Sequence, residues 1–402
     1  MKLLMFFDVL PPHLRSGSID KHVRMLSKEL RKKGHEIVVC AVGYQPQYED
    51  EKGIKSYGLE GLFQRIPFLY KDMLFKWHPP TADWLITKAL RRIIEQERIQ
   101  LMHTHGRALY SALPLKRQLK IPLVASLHGY EFICPKADLL KEDHALCDKP
   151  LTNKCISCGI ACYGPAKSVA AYVATKVNKK SLKNVDKFIA VSACTKATYL
   201  PHLGVEESKI VVIPNFYLPD TYETVKISGR LPRDFILFVG GLLPTKGLDV
   251  LMAAYHKIGT ATKLLIIGYS HPDHHYQSTD NVVLIKNAPY DLLREAYQNC
   301  RFIILPSIRP EPFPVVTLEA MSQKKAVIAS RIGGLAETVV DKETGLLVPP
   351  GDVEALSQAI EYLLANSNVA DRMGQKGYER WQQCFTPEVA APKFEELYKS
   401  IL

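Results

Sequence analysis

Two glutamates stand eight residues apart on either side of a predicted helix start. Glu311 lies in a loop with prolines at 310, 312 and 314, and Glu319 lies in the helix that follows. The prolines keep the loop out of a helix, and Pro314 suits a first helical position. Carboxylates accept hydrogen bonds from hydroxyl groups, and the open amides of a helix start attract phosphate. This segment therefore suits a sugar nucleotide, in which sugar and ribose hydroxyls flank a diphosphate.

The predicted amide donors are those of Val315, Val316 and Thr317. A second interpretation fits the same pattern equally well: a buried strand, a turn and a helix whose glutamates are only solvated. The strand would be the apolar run Phe302 to Leu305, which ends at Pro306. The glutamate spacing alone does not choose between the two interpretations.

The flanking segments favour the first interpretation. Glu311 and Glu319 are followed by Ala326-Val327-Ile328-Ala329-Ser330 and by Gly333-Gly334-Leu335-Ala336-Glu337. This compound pattern resembles the donor-site signature of the retaining family 4 glycosyltransferases. The resemblance implies the α/β GT-B fold, with two Rossmann-like doubly wound parallel-sheet domains and an inter-domain cleft. It also implies a retaining, metal-independent transfer that gives an α-linked product, in which the leaving phosphate helps to deprotonate the attacking hydroxyl.

The resemblance also implies roles for individual residues. Glu311 would contact hydroxyls of the donor sugar, Glu319 the ribose, and Lys246 the diphosphate. Lys246 belongs to the glycine loop 240–247, and Gly333 and Gly334 would let a loop lie near the sugar. The remaining donor-binding candidates are Gly17, Asn215, Arg309, Phe313, Pro314, Val315 and Val316.

His128 follows a predicted parallel strand, Pro122 to Leu127. The carboxyl ends of parallel strands form the ligand crevice of α/β sheets, but a lone histidine is more often structural. The resemblance implies that this histidine faces the donor sugar, so His128 joins Glu311 and Lys246 as a catalytic candidate. His22 also matches a family histidine.

Three positions depart from the family pattern. Ser18 replaces the second glycine of a Gly-Gly pair, Gly241 stands where an arginine is common, and Pro314 replaces a glycine. The second departure removes one of two expected cations. Arg309 is the nearest substitute in the sequence, and the alternative is that Arg309 points into solvent.

The alternation of strands and helices predicts two domains. An N-terminal acceptor-binding domain is expected over residues 1–220 and a donor-binding domain over 221–385. The amphipathic segment 386–402 would cross back onto the first domain. The stretch 216–232, with its prolines and glycine, is the predicted linker.

Charge divides the chain unequally. Residues 1–225 hold 33 lysines and arginines against 22 aspartates and glutamates, whereas residues 226–402 hold 19 of each. This asymmetry favours an anionic membrane surface or an anionic acceptor over mere solubility, and no nucleic-acid-binding motif is present. Aromatic residues and cations interleave over 44–80, which fits a membrane interface or a loop packed on its own domain.

The start of the chain bears on location and redox state. Met1 to Val9 has the pattern of a strand and not of a signal peptide, which predicts a cytoplasmic protein, peripheral at the inner face of the plasma membrane. Cysteines should then be reduced. Four of them, Cys134, Cys147, Cys155 and Cys158, have spacing that suits structural zinc, with unligated thiols or a redox-sensitive loop as alternatives.

The predicted function is transfer of a sugar from a nucleotide sugar to a lipid-linked or polysaccharide acceptor in cell-surface glycan synthesis. Two other functions remain open: a catalytically silent GT-B subunit that binds nucleotides, and a nucleotide-sugar epimerase. The sequence does not choose between UDP-, GDP- and ADP-sugars. No Asp-x-Asp motif stands in a suitable loop, so cations and amides must meet the charge of the leaving group.

Overall fold

The computed structural model describes residues 1–8, 18–42, 48–49, 53–65, 81–141, 146–219, 231–269 and 276–402. Its contacts divide the chain into two compact units. The first comprises Met1–Pro214 together with Ala390–Leu402, and the second comprises Asn215–Val389. Part of the predicted linker, residues 220–230, lies outside the described ranges. No helix among the described residues is long and apolar enough to span a membrane.

The first unit is built on a sheet of eight described strands in the order β3-β4-β2-β1-β5-β6-β7-β8. All neighbours are parallel except β3 and β4. β1 and β2 are largely apolar runs, as expected when helices cover a parallel sheet on both faces, whereas β5 carries two buried histidines. The strands are β1 (Lys2–Asp8), β2 (Glu36–Val42), β3 (Tyr48–Glu49), β4 (Lys55–Leu59), β5 (Leu101–His105), β6 (Leu123–Leu127), β7 (Lys187–Ala190) and β8 (Ile210–Val212).

Helices connect these strands, and their ends follow local capping rules. Asp83 caps α3 by accepting hydrogen bonds from the amides of Leu85 and Ile86, and Arg98 ends it in the left-handed conformation. Ser192 caps α7 in the same way as Asp83 caps α3. The described helices of this part are α1 (Ser18–Lys32), α2 (Leu62–Arg65), α3 (Trp84–Glu97), α4 (Leu109–Leu119), α5 (Lys154–Tyr163), α6 (Pro165–Lys179) and α7 (Ala193–Leu203).

Part of the segment predicted to be irregular, 44–80, is regular structure. It forms β3, β4 and α2. Residues 66–80, which include Phe68, Tyr70, Phe75 and Trp77, lie outside the described ranges. Glu97 accepts hydrogen bonds from Lys55 at 3.0 Å and from Tyr57 at 2.8 Å. Lys2 on β1 lies 2.9 Å from the same carboxylate. Lys55 and Tyr57 therefore have partners within the domain, which favours for these two residues the alternative of a loop packed on its own domain.

The second unit holds a parallel sheet of six described strands in the order β11-β10-β9-β12-β13-β14. The strands are β9 (Phe235–Val239), β10 (Lys263–Gly268), β11 (Val282–Lys286), β12 (Ile303–Leu305), β13 (Val327–Ser330) and β14 (Gly345–Val348). The helices are α8 (Leu248–Ile258), α9 (Tyr290–Asn299), α10 (Val315–Ser322), α11 (Leu335–Thr338), α12 (Val353–Ala365), α13 (Ser367–Cys384) and α14 (Pro387–Lys399). The two predicted doubly wound sheets are confirmed.

Each sheet reverses its strand order at one place, and ligands of doubly wound sheets bind beyond the carboxyl ends of the strands there. In the first unit this place lies between β1 and β5, and in the second it lies between β9 and β12. Each unit has its own apolar core beneath these strand ends.

The end of α14 packs within the first unit. Phe394 and Tyr398 are fully buried, and the Tyr398 hydroxyl lies 2.7 Å from Nδ1 of His103 on β5. Lys33 lies 3.4 Å from Glu395 at the surface. The last residues of the chain thus complete the core of the N-terminal domain.

Candidate functional site

In the second unit, two loops meet beyond the ends of β9 and β12. The loop after β9 carries Lys246 in a short 3-10 helix. The amide of Ile308 donates to the carbonyl of Thr245 at 3.1 Å, which pairs this loop with the one after β12. Gly247 has a φ of +72°, and a Cβ there would overlap the carbonyl oxygen of Pro306. Glycine at 247 therefore allows the two loops to touch.

This contact brings Lys246 to Glu311. Nζ of Lys246 donates to Oε1 of Glu311 at 2.7 Å, and Oγ of Ser307 donates to the same oxygen at 3.0 Å. Nε of Arg309 lies 3.6 Å from it. Burial raises the pKa of Glu311, but the charges of Lys246 and Arg309 and the hydrogen bonds from Lys246 and Ser307 outweigh burial and hold the pKa at about 2. Glu311 is therefore a permanent hydrogen-bond acceptor near neutral pH.

Two glycines support the backbone of Glu311. The amide of Gly334 donates to the Glu311 carbonyl at 2.6 Å. Gly333 has a φ of +56°, and a Cβ there would lie 2.6 Å from the same carbonyl oxygen. A Cβ on Gly334 would lie 2.5 Å from the carbonyl oxygen of Pro312. These glycines thus hold the Glu311 loop in place, a contact that the sequence analysis did not foresee.

Arg309 is turned toward this cluster. Its side chain is 27% exposed, and its Nε is buried without a hydrogen-bond partner in the described part of the chain. The interpretation that Arg309 points into solvent is therefore wrong. An unpaired guanidinium N–H beside a carboxylate is suited to an anionic ligand, since a buried donor without a partner is costly.

Gly241, where the family commonly has arginine, faces Tyr269. A Cβ built on Gly241 would lie 2.7 Å from the Tyr269 hydroxyl. Burial raises the pKa of Tyr269, the charge of Arg309 lowers it and that of Glu311 raises it, so the phenol is near both groups. Tyr269 therefore takes up the space that a side chain at 241 would enter.

The start of α10 offers fewer amides than predicted. Pro314 is the N-cap, so the first helical residue is Val315 and not Pro314. The amide of Thr317 donates to the Pro314 carbonyl at 3.1 Å, which removes it from the predicted set of phosphate donors. Val315 and Val316 occupy the first two helical positions, where amides have no partner within the helix.

Glu319 lies on the same helix and is buried. Its Oε2 accepts a hydrogen bond from the hydroxyl of Tyr297 at 2.7 Å. Tyr297 belongs to α9, which packs beside β9. The phenol fixes the orientation of the carboxylate that the sequence assigns to the ribose.

Two other donor-site candidates have structural contacts. The ring of Phe313 packs edge-to-face on Phe385, with centroids 5.7 Å apart. Asn215 is buried, and its Oδ1 has no hydrogen-bond partner among the described residues. Gly17, the candidate of the first loop, lies outside the described ranges.

The first unit gathers histidines at the ends of its strands. His105 ends β5 and His128 follows β6, and Nδ1 of His105 lies 2.8 Å from Nε2 of His128. The ring of His22, on α1, lies 5.1 Å from that of His128. Burial lowers the pKa of His22 to about 4 and that of His105 and His128 well below the usual value, and neighbouring histidines lower the latter two further. All three imidazoles are therefore neutral near pH 7.

Nitrogen atoms of these three histidines lie within 4.8 Å of one another, a spacing that suits a metal ion. The 2.8 Å contact between His105 and His128 is a hydrogen bond, however, and a metal would have to break it. The hydrogen bond instead orients the ring of His128, which the resemblance assigns to the sugar.

Comparisons with known proteins identify the family. Residues 223–380 match the model of glycosyl transferases group 1, and residues 19–220, half of the chain, match that of Glycosyltransferase Family 4. The chain belongs to glycosyltransferase family 4. The capsular polysaccharide biosynthesis glycosyltransferase CapM of Staphylococcus aureus is 26% identical over 248 residues, which cover 59% of this chain and 64% of CapM.

Solved structures show the fold of this glycosyltransferase. Sucrose-phosphate synthase of Thermosynechococcus elongatus superposes with a TM-score of 0.76 at 22% identity, covering 100% of this chain and 99% of that one. Anabaena HepE in complex with UDP gives 0.69 at 18% identity, with complete coverage of both chains. HepE has also been solved with UDP-glucose. The predicted GT-B fold and family are thereby confirmed.

The cysteines predicted to bind zinc do not form a ready site in this family 4 chain. Among the described residues, the three histidines are the one group whose potential ligand atoms converge. Sγ of Cys158 donates to the carbonyl of Leu140 at 3.3 Å, and Cys134 lies 3.9 Å from Asp138. All of these cysteines are free thiols, and structural zinc stays a prediction.

Sequence reasoning gave no role to His103, His105 or Tyr398. His103 donates or accepts on both ring nitrogens, toward Ser126 at 2.8 Å and Tyr398 at 2.7 Å. One signal was available: His103 and His105 are two residues apart on a strand and at its carboxyl end, which places both on one face of the sheet at the ligand edge.

Proposed function

We propose that this GT-B glycosyltransferase is a retaining enzyme that transfers a sugar from a nucleotide sugar without a divalent metal. Lys246 and Arg309 would meet the negative charge that develops on the departing diphosphate, with the amides of Val315 and Val316 beside them. A phosphate oxygen of the leaving group would take the proton of the acceptor hydroxyl. The observation that most supports the proposal is that two cations, Lys246 and Arg309, lie beside Glu311.

Within this proposal Glu311 binds hydroxyls of the transferred sugar. Its pKa of about 2 keeps it an acceptor throughout the reaction, so it positions the sugar and does not move a proton. Glu319 would bind the ribose, oriented by Tyr297. We assign sugar binding in the first unit to His128, whose neutral imidazole is oriented by His105. Asn215 is a further candidate because its buried Oδ1 has no partner among the described residues.

For the donor we propose a uridine diphosphate sugar first, because HepE was solved with UDP-glucose. GDP- and ADP-sugars are the alternatives. For the acceptor we propose a lipid-linked or polysaccharide glycan, since CapM is named for capsular polysaccharide biosynthesis. The excess positive charge of residues 1–225 fits an acceptor held at an anionic membrane, with the protein peripheral at the inner face.

The test is a donor screen followed by stereochemistry. Thermal stabilisation should single out one nucleotide sugar, since a ligand at a hundred times its Kd adds about 2.7 kcal/mol. Proton NMR of the products should then show an α-linked sugar from an α-linked donor, with rates unchanged by EDTA. Nucleotide binding without any transfer or donor hydrolysis would indicate a silent subunit, and a new sugar nucleotide formed without acceptor would indicate an epimerase.

A further inference from the structure

The crossover from β6 to β7 carries more structure than a parallel connection requires. Such a connection needs about a dozen residues, yet residues 128–186 separate these two strands. The extra length includes α5 and α6, which pack against each other as a hairpin. The hairpin contributes no residue to the candidate donor site described above.

The outer face of this hairpin is apolar. On α6, Val169, Val173 and Val177 are 44%, 48% and 62% exposed. Residues four apart lie on one face of a helix, so the three valines form a continuous stripe. Ile160 on α5 is also apolar and 42% exposed. The inner face of α6 is the buried one, through Ala171, Tyr172 and Thr175, among others.

This pattern is the reverse of an ordinary surface helix, which buries its apolar side chains and exposes polar ones. Contiguous exposed apolar side chains on a globular protein mark a surface that meets a partner or a membrane. We therefore expect the valine stripe to contact a partner or a membrane.

The charge around the stripe points to the nature of that contact. Between Asp148 and Asp186 the chain has no aspartate or glutamate. The basic residues of the same stretch are Lys149, Lys154, Lys167, Lys176, Lys179, Lys180 and Lys183. A partner surface must therefore accept apolar side chains and offer negative charge beside them.

We propose that the α5–α6 hairpin docks on an anionic lipid bilayer, with the valine stripe in the headgroup boundary and the lysines on lipid phosphates. An interfacial helix has an apolar face flanked by lysines, and each lysine near an anionic leaflet contributes about 1 kcal/mol. The core of a protein interface is instead enriched in aromatic residues and arginine and depleted in lysine. The exposed stripe holds valines and no aromatic residue or arginine.

The inference deepens the proposed function and rests on it for the location of the acceptor. It assigns membrane contact to described residues, whereas most of the segment 44–80 lies outside the described ranges. It also gives a reason for the charge asymmetry between the two halves of the chain. The surface itself is defined by residues that take no part in the donor site.

Vesicle co-sedimentation of the full chain tests the proposal. We expect binding to vesicles of phosphatidylcholine with about one-third phosphatidylglycerol, weak binding to pure phosphatidylcholine, and a decline with added salt as charges are screened beyond a Debye length of about 8 Å. Val173→Asp should weaken binding at least about tenfold, because it removes an exposed valine that the lipid would bury and adds a charge that the lipid repels. Lys180→Glu should weaken it severalfold.

Matched controls lie in the second unit. Tyr362 is 46% exposed on α12, and Lys286 is exposed at the end of β11. Tyr362→Asp replaces an exposed apolar side chain by a carboxylate, and Lys286→Glu reverses a charge, both outside the hairpin. These two variants should bind vesicles like the unchanged protein. Equal loss in these controls, or undiminished binding by Val173→Asp, would overturn the proposal.

Two further measurements separate the possible failures. Light scattering without lipid should show the same oligomeric state for Val173→Asp and the unchanged protein. If the unchanged protein self-associates and Val173→Asp does not, the stripe binds a second copy of the chain instead. Donor hydrolysis in solution should be equal in Val173→Asp and the unchanged protein. If neither hydrolyses any donor while vesicle binding behaves as expected, the proposed function fails and the docking surface stands.

Discussion

The ammonium group of Lys246 lies 2.7 Å from Oε1 of Glu311. The two residues come from loops after different strands, and both were assigned to a ligand from the sequence. Without a ligand, Lys246 compensates the charge of a nearly buried carboxylate. Leaving such a carboxylate without its partner costs about 3–5 kcal/mol. Because an ammonium has three donors, Lys246 can keep this contact while it binds a diphosphate.

Lys246→Met should therefore have two effects. Turnover should fall by about 10²–10³, the usual loss when one donor to developing negative charge is removed. The pKa of Glu311 should also rise. In the unchanged protein its lowered pKa contributes stability that is complete above about 4.5 and lost as the pH falls toward about 2. In the variant that loss should begin at higher pH.

Steady-state kinetics and unfolding scans between pH 3 and 7 would measure both effects. Lys257→Met is the control, since Lys257 forms an exposed ion pair with Glu354 on the same domain. Unchanged turnover in Lys246→Met would show that the diphosphate lies elsewhere.

Glu319 and Glu311 should differ in what they bind. Glu319→Ala should weaken binding of the nucleoside diphosphate, because ribose hydroxyls would lose a buried acceptor. Glu311→Ala should lower turnover more than nucleotide affinity, since a nucleoside diphosphate lacks the transferred sugar that Glu311 is proposed to contact. Titration calorimetry with the bare diphosphate distinguishes them, and equal losses of affinity would contradict the assignment.

Tyr297→Phe is the matched test of how Glu319 is positioned. It removes the phenol that donates to Oε2 at 2.7 Å and leaves the carboxylate in place. We expect a smaller loss of nucleotide affinity than in Glu319→Ala, together with about 1–2 kcal/mol less stability. An affinity loss as large as that of Glu319→Ala would mean that the phenol itself contacts the ligand.

Much of this fold is predictable because parallel strands are continuous apolar runs with sharp ends. The predicted strand Pro122 to Leu127 differs from β6 by one residue at its start, and Phe302 to Leu305 differs from β12 by one residue at its start. Local sequence also locates Glu311 in a loop and Glu319 in the following helix. These features depend on neighbours in the chain, which the sequence shows directly.

The contacts of the site were less predictable because they depend on strand order. Lys246 meets Glu311 only because β9 and β12 are neighbours, although β10 and β11 separate them in the chain. The histidine cluster likewise needs β5 beside β1 and β6 beside β5. Gly333 is a third case, since its contact with the Glu311 backbone joins loops after β12 and β13.

The buried histidines should make the first unit sensitive to acid. Burial lowers the pKa of His22 to about 4, and burial with the charge of His22 lowers that of His103 to about 3. The unfolded chain takes up these protons near 6.5, so stability is complete above that pH and falls as the pH drops toward 4. Each histidine contributes a slope of up to about 1.4 kcal/mol per pH unit in this window.

His22→Gln removes one titrating group while keeping a polar side chain. Between pH 4 and 6.5 its free energy of unfolding should change less steeply with pH, by the slope that one proton contributes, up to about 1.4 kcal/mol per pH unit. His256→Gln is the control, because His256 is exposed on α8. An unchanged slope in His22→Gln would place His22 in a more open environment than the structure shows.

The last prediction concerns the arginine that this chain lacks at position 241. Arg309→Ala should lower kcat by about a hundredfold, because the guanidinium is proposed to meet the diphosphate. Stability should fall less than in Lys246→Met, because Nε of Arg309 lies 3.6 Å from Glu311 and makes no hydrogen bond among the described residues. Gly241→Arg should not restore activity by itself. A Cβ at 241 would lie 2.7 Å from the Tyr269 hydroxyl, so the new side chain and the phenol compete for the same space.

Replacing the phenol as well, in the triple variant Arg309→Ala, Gly241→Arg and Tyr269→Ala, should recover part of the lost kcat. Tyr269→Ala alone controls for removal of the phenol, and a double-mutant cycle between positions 241 and 269 should show coupling. Full rescue by Gly241→Arg with Tyr269 intact would show that the phenol moves freely, and normal turnover in Arg309→Ala would show that Lys246 alone meets the charge.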